Sequence, residues 1–368
     1  MKNLNMPKLG FGGMRFPTLG NESEVDLKLL GKMVDHYMDS GFNYFDTAYV
    51  YHGGNSETAL ADALVARRPR GSFILADKMS IWEGKTAEDL EGLFTTQLKR
   101  CRVEYFDCYL IHSINVRNEE KVAKSEAYDY LSKLKKEGRA RYIGFSFHGT
   151  AEVLERVLTA HPEVDFVQLQ LNYYDMLLGR ATEYYQIALK HNKPVIAMEP
   201  VKGGLLAKLP ENVSMSITLA DAQSTAASLA LRYVASLPGV VTTLSGMSTL
   251  AQVEENCETF KDFKQISDGE LRLIESALVE LGKSSSIPCT ACKYCLQCCP
   301  NEIDIPVVFS IYNAVKSSGV EWNGRAMYNL TPKGRRAVDC ADCGQCVNRC
   351  PQEIAIPEEM KNVAGMFS

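Results

Sequence analysis

The stretch LGFGGMRF, residues 9–16, decides between two folds that would both suit most of this chain. It is the first of eight short apolar runs that alternate with amphipathic helical stretches up to about residue 281. Such alternation predicts parallel strands joined by right-handed crossovers, either in a doubly wound open sheet or in a closed barrel. An open sheet that binds a dinucleotide carries G-x-G-x-x-G after its first strand. Because LGFGGMRF lacks that spacing, we predict an α/β fold of the (β/α)8 TIM barrel type.

The barrel is expected to span residues 1–282 and to be followed by a smaller domain. Its predicted strands cover residues 9–13, 43–48, 73–78, 107–112, 141–146, 166–171, 194–199 and 240–245. The polar stretch GKSSSIP, residues 282–288, then indicates a linker. We therefore predict a second domain over residues 283–368.

The composition argues against several functional classes. With 46% hydrophobic and 23% charged residues among 368, the chain is similar to ordinary globular proteins. A net charge of -5, without a dense Lys/Arg block, argues against a nucleic-acid partner. The first residues, MKNLNMPKLG, have no apolar signal core, and no apolar run is long enough to span a bilayer. We expect a cytoplasmic protein that binds neither nucleic acid nor membrane.

Nine of the twelve cysteines follow residue 288, in two copies of one motif. The copies are CTACKYCLQCCPNEIDIP at residues 289–306 and CADCGQCVNRCPQEIAIP at residues 340–357. In a cytoplasmic chain such clustering indicates metal ligation rather than disulfides. Both copies have the spacing C-x2-C-x2-C-x3-C-P of bacterial ferredoxins with two 4Fe–4S clusters, so we predict a small ferredoxin-like domain with two clusters. Zinc is the alternative, although zinc modules usually pair two C-x2-C units across a longer gap.

In such ferredoxins the fourth cysteine of each run ligates the other cluster. The predicted ligand sets are Cys289, Cys292, Cys295 and Cys350 for one cluster, and Cys340, Cys343, Cys346 and Cys299 for the other. Cys298 permits a second register, but the proline after Cys299 and the match to the second copy favour Cys299. Residues 307–337, between the runs, are expected to add one or two helices.

Polar residues stand where the second, third and fourth predicted strands end: Asp46 with Tyr51 after it, then Lys78, then His112. Barrels keep their catalytic groups at the carboxyl ends of the strands. A tyrosine is a weak acid with an ordinary pKa near 10, and a neighbouring ammonium favours its ionised form. We expect Tyr51 to be a proton donor that Lys78 tunes, with Asp46 holding Lys78. His112 would orient a substrate oxygen. Each residue alone is more often a capping or core group, but four at consecutive strand ends favour catalysis.

Three segments carry a resemblance to a known family. FDTAYVYHGGNSE (residues 45–57), ILADK (74–78) and CYLIH (108–112) resemble the aldo-keto reductases, and the likeness extends to about residue 281. The complete chain resembles the subgroup with a C-terminal ferredoxin-type 4Fe–4S domain. The resemblance implies an oxidoreductase whose catalytic tetrad is Asp46, Tyr51, Lys78 and His112. Nearby, Tyr49 is expected to pack, whereas His52 and His148 either line the same pocket or lie on solvated loops.

The family binds a nicotinamide cofactor across the barrel, and the resemblance implies several of its contacts here. Ser146 and Gln168 match residues that grip the carboxamide, and Met198 stands where an aromatic residue usually stacks on the nicotinamide. The segment LSGMSTLAQVEEN, residues 244–256, resembles the one that holds the adenosine end. Its matching residues are Gly246, Glu255 and Asn256.

The same region departs from the family pattern, so specificity for NADP is not expected. No Lys or Arg occurs at residues 247–251, where the family usually holds the 2′-phosphate through charge-assisted hydrogen bonds. Phe147 replaces an asparagine that often follows the strand-five serine. Lys202, before Gly203 and Gly204, either contacts a phosphate or lies on a solvated loop. NADH, NADPH and a different electron donor all stay open.

An electron count adds two further donors. A hydride carries two electrons and a 4Fe–4S cluster carries one, whereas a flavin handles both modes. The chain has no flavin fingerprint, but EPVKGG (199–204) and SGMST (245–249) follow strands seven and eight, where barrels often bind flavin phosphate. A partner ferredoxin is the remaining donor.

We therefore expect an iron–sulfur oxidoreductase that reduces or oxidises a carbonyl or related small substrate. Tyr51 would donate the proton, and electrons would be exchanged through two 4Fe–4S clusters. The alternative is an NAD(P)H-dependent carbonyl reductase whose iron–sulfur domain is structural or a docking module. A third hypothesis, an electron carrier that retains a barrel as scaffold, is disfavoured by the intact tetrad.

Overall fold

Eight parallel strands close into a barrel in the computed structural model, which describes residues 4–81, 87–177, 179, 181–209, 211–220, 224–283, 287–318 and 321–367. In this part of the chain each strand pairs with the next in sequence, and the last pairs with the first. The strands are β1 Leu9–Gly12, β2 Tyr44–Asp46, β3 Ile74–Met79, β4 Phe106–Ile114, β5 Ala140–Phe147, β6 Phe166–Gln170, β7 Val195–Met198 and β8 Val240–Gly246. The predicted (β/α)8 fold is confirmed.

Helices connect the strands and continue into the cysteine-rich part. They are α1 Leu27–Asp39, α2 Ser56–Leu60, α3 Ala87–Cys101, α4 Glu119–Lys124, α5 Ala127–Lys136, α6 Ala151–Ala160, α7 Tyr173–Leu177, α8 Ala181–Lys190, α9 Glu211–Ala220, α10 Ala226–Ser236, α11 Leu250–Lys261, α12 Asp268–Lys283, α13 Ile305–Ser318, α14 Glu321–Leu330 and α15 Ile356–Phe367. The helices predicted between the cysteine runs are α13 and α14. Among the described residues, no helix is both long and apolar enough to cross a membrane.

The barrel interior is a packed core. Strand β4 is buried at all nine positions, as expected for a parallel strand that is covered on both faces. At Gly144 of β5 a Cβ atom would lie 2.5 Å from the backbone oxygen of Phe166 in β6, so this contact requires glycine. Inward-facing side chains form one apolar cluster, whose buried members are Leu4, Tyr44, Ala76, Cys108, Leu110, Phe166, Ile196 and Leu244. This packing fixes the strand ends at the carboxyl rim.

The chain divides into two compact units. The first contains residues up to Val201 together with Ala227–Ser267, and the second contains Lys202–Ala226 and the chain from Asp268 onward. This division differs from the predicted boundary between residues 282 and 283, because α9 packs against α12 within the second unit. Of the predicted linker GKSSSIP, residues 284–286 lie outside the described residues.

Candidate active site and cysteine sites

Lys78 and Asp46 form a buried ion pair at the carboxyl rim of the barrel. Asp46 is the last residue of β2, and Lys78 is the last but one of β3. Lys78 Nζ lies 2.5 Å from Asp46 Oδ1 and 2.7 Å from the backbone oxygen of Thr47. Burial raises the pKa of Asp46, while the ammonium of Lys78 opposes that shift. The structure thus brings these two predicted residues into direct contact.

Tyr51 and His112 complete the predicted group of four. Lys78 Nζ lies 4.8 Å from the centroid of the Tyr51 ring. The rings of Tyr51 and His112 meet edge to face, with centroids 5.9 Å apart. Ser80, just after β3, places its Oγ 3.4 Å from His112 Nδ1, a contact that the sequence analysis missed. The ends of three neighbouring strands therefore supply one cluster of polar groups.

Two histidines near this cluster are held neutral. Burial lowers the pKa of His112 well below its ordinary value, and the charge of Lys78 adds to the effect. Burial also lowers the pKa of His148, to about 4. A neutral imidazole carries one N–H donor and one acceptor. His112 can therefore donate a hydrogen bond to a substrate oxygen without being an acid itself.

A second buried network, which the sequence analysis also missed, lies behind Lys78. Asp77 points to the opposite face of β3 from Lys78, because side chains alternate along a strand. Asp77 Oδ1 accepts from the Lys78 N–H at 2.8 Å, and the Gln97 amide donates to the Lys78 carbonyl at 3.1 Å. Gln97 also donates to Glu57 at 3.0 Å, and Arg100 binds Glu57 at 2.8 Å. Both backbone groups of Lys78 are thus fixed by side chains.

The residues expected around the carboxamide lie on neighbouring strands. Ser146 of β5 is paired in register with Gln168 of β6, and both are buried. Ser146 Oγ accepts from the backbone N–H of Ser113 at 2.7 Å. Gln168 Nε2 lies 3.6 Å from Met198 Sδ, and among the described residues Gln168 Oε1 has no hydrogen-bond partner. A buried acceptor of this kind suits the amide N–H of a carboxamide.

The segment expected at the adenosine end is well ordered by its own side chains. Thr249 and Gln252 form a capping box at the start of α11. Asn256 is buried and donates to Ser245 Oγ at 2.9 Å, so it anchors α11 to the end of β8. Glu255, on the same helix, is half-buried. Asn256 therefore has a structural role, whereas the side chain of Glu255 is more accessible to a ligand.

Arg15 is a cation at this segment that the sequence analysis missed. A Cβ atom at Gly246 would lie 2.8 Å from Arg15 Cδ, so the arginine stem crosses directly over this glycine. Ser248 Oγ donates to the Arg15 carbonyl at 2.8 Å. The guanidinium lies 3.6 Å from the carboxylate of Glu199, with 27% of the side chain exposed. This contact could have been inferred from closure of the barrel, because closure pairs β1 with β8 and places the loops that follow them side by side.

Other residues considered from the sequence have clear structural partners. The ring of Tyr49 stacks under the Arg100 guanidinium at 4.7 Å. His52 is 4% exposed; its Nε2 accepts from the Phe16 N–H at 3.1 Å, and its Nδ1 lies 2.8 Å from the Glu22 carbonyl. Lys202 is only 3% exposed. The solvated-loop interpretation of His52 and Lys202 was therefore wrong, because both side chains are buried.

The cysteines of the two runs line two cavities in the second unit. One cavity is lined by four cysteines: Cys289, Cys292, Cys295 and Cys350. The other is lined by Cys299, Cys340, Cys343 and Cys346, together with Cys298. Each cavity thus combines three cysteines of one run with the fourth of the other run. Four converging thiols are a donor set that suits an iron–sulfur cluster.

The backbones of the two runs repeat each other. Left-handed φ values recur at three matching pairs, which are Ala291 and Asp342, Lys293 and Gly344, and Glu302 and Glu353. Left-handed backbone is costly for residues other than glycine and persists where the surroundings enforce it. It turns N–H groups toward sulfur: Ala291 N donates to Cys289 Sγ, and Ile303 N donates to Cys299 Sγ, each at 3.4 Å. Such donors suit thiolates that hold a cluster.

Cys298 differs from the neighbouring cysteines in its own bonding. Its Sγ donates to the backbone carbonyl of Cys295 at 3.3 Å. Cys299, in contrast, accepts from Ile303 N and has the proline after it. The two sulfurs line the same cavity, but the hydrogen bonding favours Cys299 as the ligand.

Comparison with known proteins agrees with this architecture. The model of the aldo/keto reductase family matches residues 8–279, and a model described as a 4Fe–4S dicluster domain matches residues 288–355. The chain is 25% identical over 305 residues to the uncharacterized oxidoreductase YqkF of Bacillus subtilis, covering 74% of this chain and 93% of that protein. It is 29% identical over 269 residues to L-galactose dehydrogenase of Arabidopsis thaliana, covering 67% and 83%.

Solved structures share the barrel. The holo form of aldo-keto reductase AKR11C1 from Bacillus halodurans superposes with a TM-score of 0.60 at 24% identity, covering 73% of this chain and 91% of that one. An aldo/keto reductase from Klebsiella pneumoniae in complex with NADP and acetate gives 0.60 at 22% identity, covering 74% and 92%. At these identities the match establishes the fold of the barrel.

Proposed function

The chain belongs to the aldo/keto reductase family and carries a 4Fe–4S domain, and from this premise we propose that it interconverts a small carbonyl compound and its alcohol, with Tyr51 as the proton donor. The observation that carries the proposal is the single cluster of Asp46, Lys78, Tyr51 and His112 at the barrel rim. The chain is thus an oxidoreductase, and the proposal concerns its substrate, its proton donor and its redox groups.

Reduction of a carbonyl adds a hydride at carbon and a proton at oxygen. As the hydride arrives, the π-electron pair of the carbonyl moves onto oxygen, and Tyr51 Oη gives its proton to that oxygen. The phenolate left on Tyr51 faces Lys78, whose Nζ is 4.8 Å from the ring centroid, so its negative charge is compensated. In oxidation the phenolate takes the proton back.

His112 orients the substrate rather than supplying the proton. Its lowered pKa keeps the ring neutral, and Ser80 lies beside Nδ1. When the Ser80 hydroxyl donates to Nδ1, the ring proton resides on Nε2, where it can donate to the carbonyl oxygen. The same oxygen then receives hydrogen bonds from His112 and Tyr51.

A nicotinamide cofactor fits the barrel residues. Gln168 offers a buried acceptor for a carboxamide, and Arg15 brings a cation to the segment expected at the adenosine end. When bound, the nicotinamide supplies or accepts the hydride. NADH and NADPH both remain candidates, because Arg15 supplies a charge that residues 247–251 lack. A flavin remains a prediction without a binding motif.

Two 4Fe–4S clusters are proposed for the two cysteine-lined cavities. Cys289, Cys292, Cys295 and Cys350 would hold the first, which we call cluster A. Cys299, Cys340, Cys343 and Cys346 would hold the second, cluster B. When assembled, each cluster supplies or accepts one electron. A protein such as a ferredoxin is the proposed external partner, and the clustering of nine cysteines in two ligand-type runs favours the reducing cytoplasm.

The alternative function is a nicotinamide-dependent carbonyl reductase whose cysteine domain is structural. The buried Gln168 acceptor favours it, because nicotinamide binding needs no cluster. The two functions differ in what happens when clusters are absent. A C295S/C346S variant lacks one ligand of each site. Turnover of small aldehydes by this variant with NADH or NADPH at the wild-type rate would establish the alternative.

The test of the proton donor compares two tyrosines. Anaerobic protein is assayed on a panel of small aldehydes and ketones with NADH, NADPH and reduced methyl viologen as donors. Y51F should lose roughly 10²–10⁴-fold in turnover with every donor that works. Y49F should stay near the wild type, because Tyr49 packs on Arg100. Iron and sulfide content should be unchanged in both. Full activity of Y51F would disprove the proposed role.

A further inference from the structure

Lys202 is a buried lysine that the proposed chemistry does not use. It follows β7 in the chain and belongs to the second unit. Its side chain is 3% exposed, and its Nζ lies 3.4 Å from Gln352 Oε1. Gln352 lines the same cavity as the four cysteines of cluster A. A buried ammonium is costly unless its surroundings supply compensating charge or hydrogen bonds, and thiolates that hold a cluster in the neighbouring cavity would add negative charge to those surroundings.

The backbone of Gly203, the residue after Lys202, packs closely against Thr290 in the cavity lining. Gly203 has φ +64°, and a Cβ atom there would lie 2.6 Å from Thr290 Cα and 2.7 Å from the Thr290 carbonyl oxygen. Thr290 stands between two ligands of cluster A, Cys289 and Cys292. Only glycine permits this approach. Lys202 and Gly203 therefore contact the lining of the cavity proposed for cluster A at two places, Gln352 and Thr290.

Among the described residues, no lysine contact of this kind is found at the matching position of the other copy. Asn301 occupies in the first run the position of Gln352 in the second, and it donates to the backbone carbonyl of Asp339. Two cations of the described chain interact with cysteines of the cavity proposed for cluster B: Arg349, which is exposed, and Lys361, which is 69% exposed and paired with Asp342. Water and salt screen exposed charges far more than buried ones.

A cluster with four thiolate ligands is negatively charged, and reduction adds one electron to it. A fixed positive charge nearby stabilises the reduced form more than the oxidised form, and net charge is one of the factors that set cluster potentials. We propose that the charge of Lys202 raises the reduction potential of cluster A above that of cluster B. The inference rests on the proposed function in one respect, namely that the two cavities hold 4Fe–4S clusters.

The test is an anaerobic redox titration of the full-length protein with dithionite and mediators, followed by electron paramagnetic resonance. The wild type should show two midpoints. K202M should lower one of them and leave the other in place, and K202R should restore the wild-type value because it keeps the charge. K361M, which removes an exposed cation, should shift neither midpoint as far as K202M shifts one. The readout needs no substrate, so it is independent of the barrel's proposed reaction.

The remaining outcomes are also decisive. Unchanged midpoints in K202M and in the polar variant K202Q, at full iron content, would overturn the inference. If both neutral variants lose half of their iron while K202R keeps it, the charge is required for assembly of cluster A, and the inference then stands if K202R retains both wild-type midpoints and fails if it does not. If K202R loses it as well, Lys202 acts by packing and the inference fails. Absence of any cluster signal in the wild type would instead defeat the proposed function.

Discussion

Replacing Asp46 by asparagine removes the negative half of the buried ion pair in the proposed active site. The variant keeps the shape of the side chain and the Oδ1 acceptor. Lys78 should therefore retain its hydrogen bonds to residue 46 and to the Thr47 carbonyl, which lies 2.7 Å from Nζ in the wild type. The substitution removes the carboxylate that lies directly against the ammonium of Lys78, whose side chain is only 1% exposed. Breaking a buried pair in this way costs about 3–5 kcal/mol. The retained hydrogen bonds place the expected loss for D46N near 3 kcal/mol.

The assay is anaerobic urea unfolding followed by far-UV circular dichroism, with free energies compared at a common m-value. The matched control is E120Q, which breaks the pair of Lys124 and Glu120. That pair spans 3.6 Å with side chains 79% and 84% exposed. Exposed pairs contribute at most about 1 kcal/mol. The double variant D46N/K78M removes both charges and should lose less stability than the two single variants together. A D46N loss no larger than that of E120Q would refute the reasoning.

Three further predictions follow from the described contacts. Burial lowers the pKa of His148 from 6.5 to about 4, so the unfolded chain binds a proton that the folded chain does not. Stability should therefore fall as the pH drops from 6.5 toward 4, and urea midpoints of H148Q should show a flatter pH dependence. C299S should lose iron and sulfide in a direct assay of the purified protein, whereas C298S should keep both, because serine can still donate to the Cys295 carbonyl. R15M should weaken binding of a nicotinamide dinucleotide by about tenfold in a fluorescence titration, the equivalent of about 1.4 kcal/mol. R102M, which removes an exposed arginine paired with Asp62, should not change that binding; equal effects of both variants would contradict the assignment of Arg15.

The barrel could be predicted because its signals are local. Each strand is a short apolar run between helical stretches, and the eight runs predicted from the sequence are the eight strands of the structure. The four tetrad residues follow from the same pattern, since each stands where a run ends and neighbouring runs become neighbouring strands. The structure adds the distances, such as the 2.5 Å contact between Lys78 and Asp46.

What the sequence analysis missed depends on closure and on the second face of a strand. Gly12 pairs with Gly246 when the barrel closes, and this brings Arg15 to a segment more than two hundred residues away in the chain. Asp77 points away from the proposed catalytic side because it alternates with Lys78; its neighbour Glu57, and Gln97, which donates to Glu57, come from separate helices. Both signals were present in principle, but each requires a three-dimensional register before it can be used.

The cysteine domain shows how far a sequence repeat can be trusted. Matching residues adopt matching left-handed backbones, so the ligand geometry follows from the repeat itself. The charged residues do not repeat. Lys293 in the first run corresponds to Gly344 in the second, and Ala291 corresponds to Asp342. Lys202 lies outside both copies, at the start of a short 3-10 segment, Lys202–Ala207, that Gly203 and Gly204 interrupt with positive φ and that no periodicity predicts. Matching cysteines in electrostatically different surroundings are therefore the basis of the proposed difference between the two cluster potentials, which the redox titration of K202M tests.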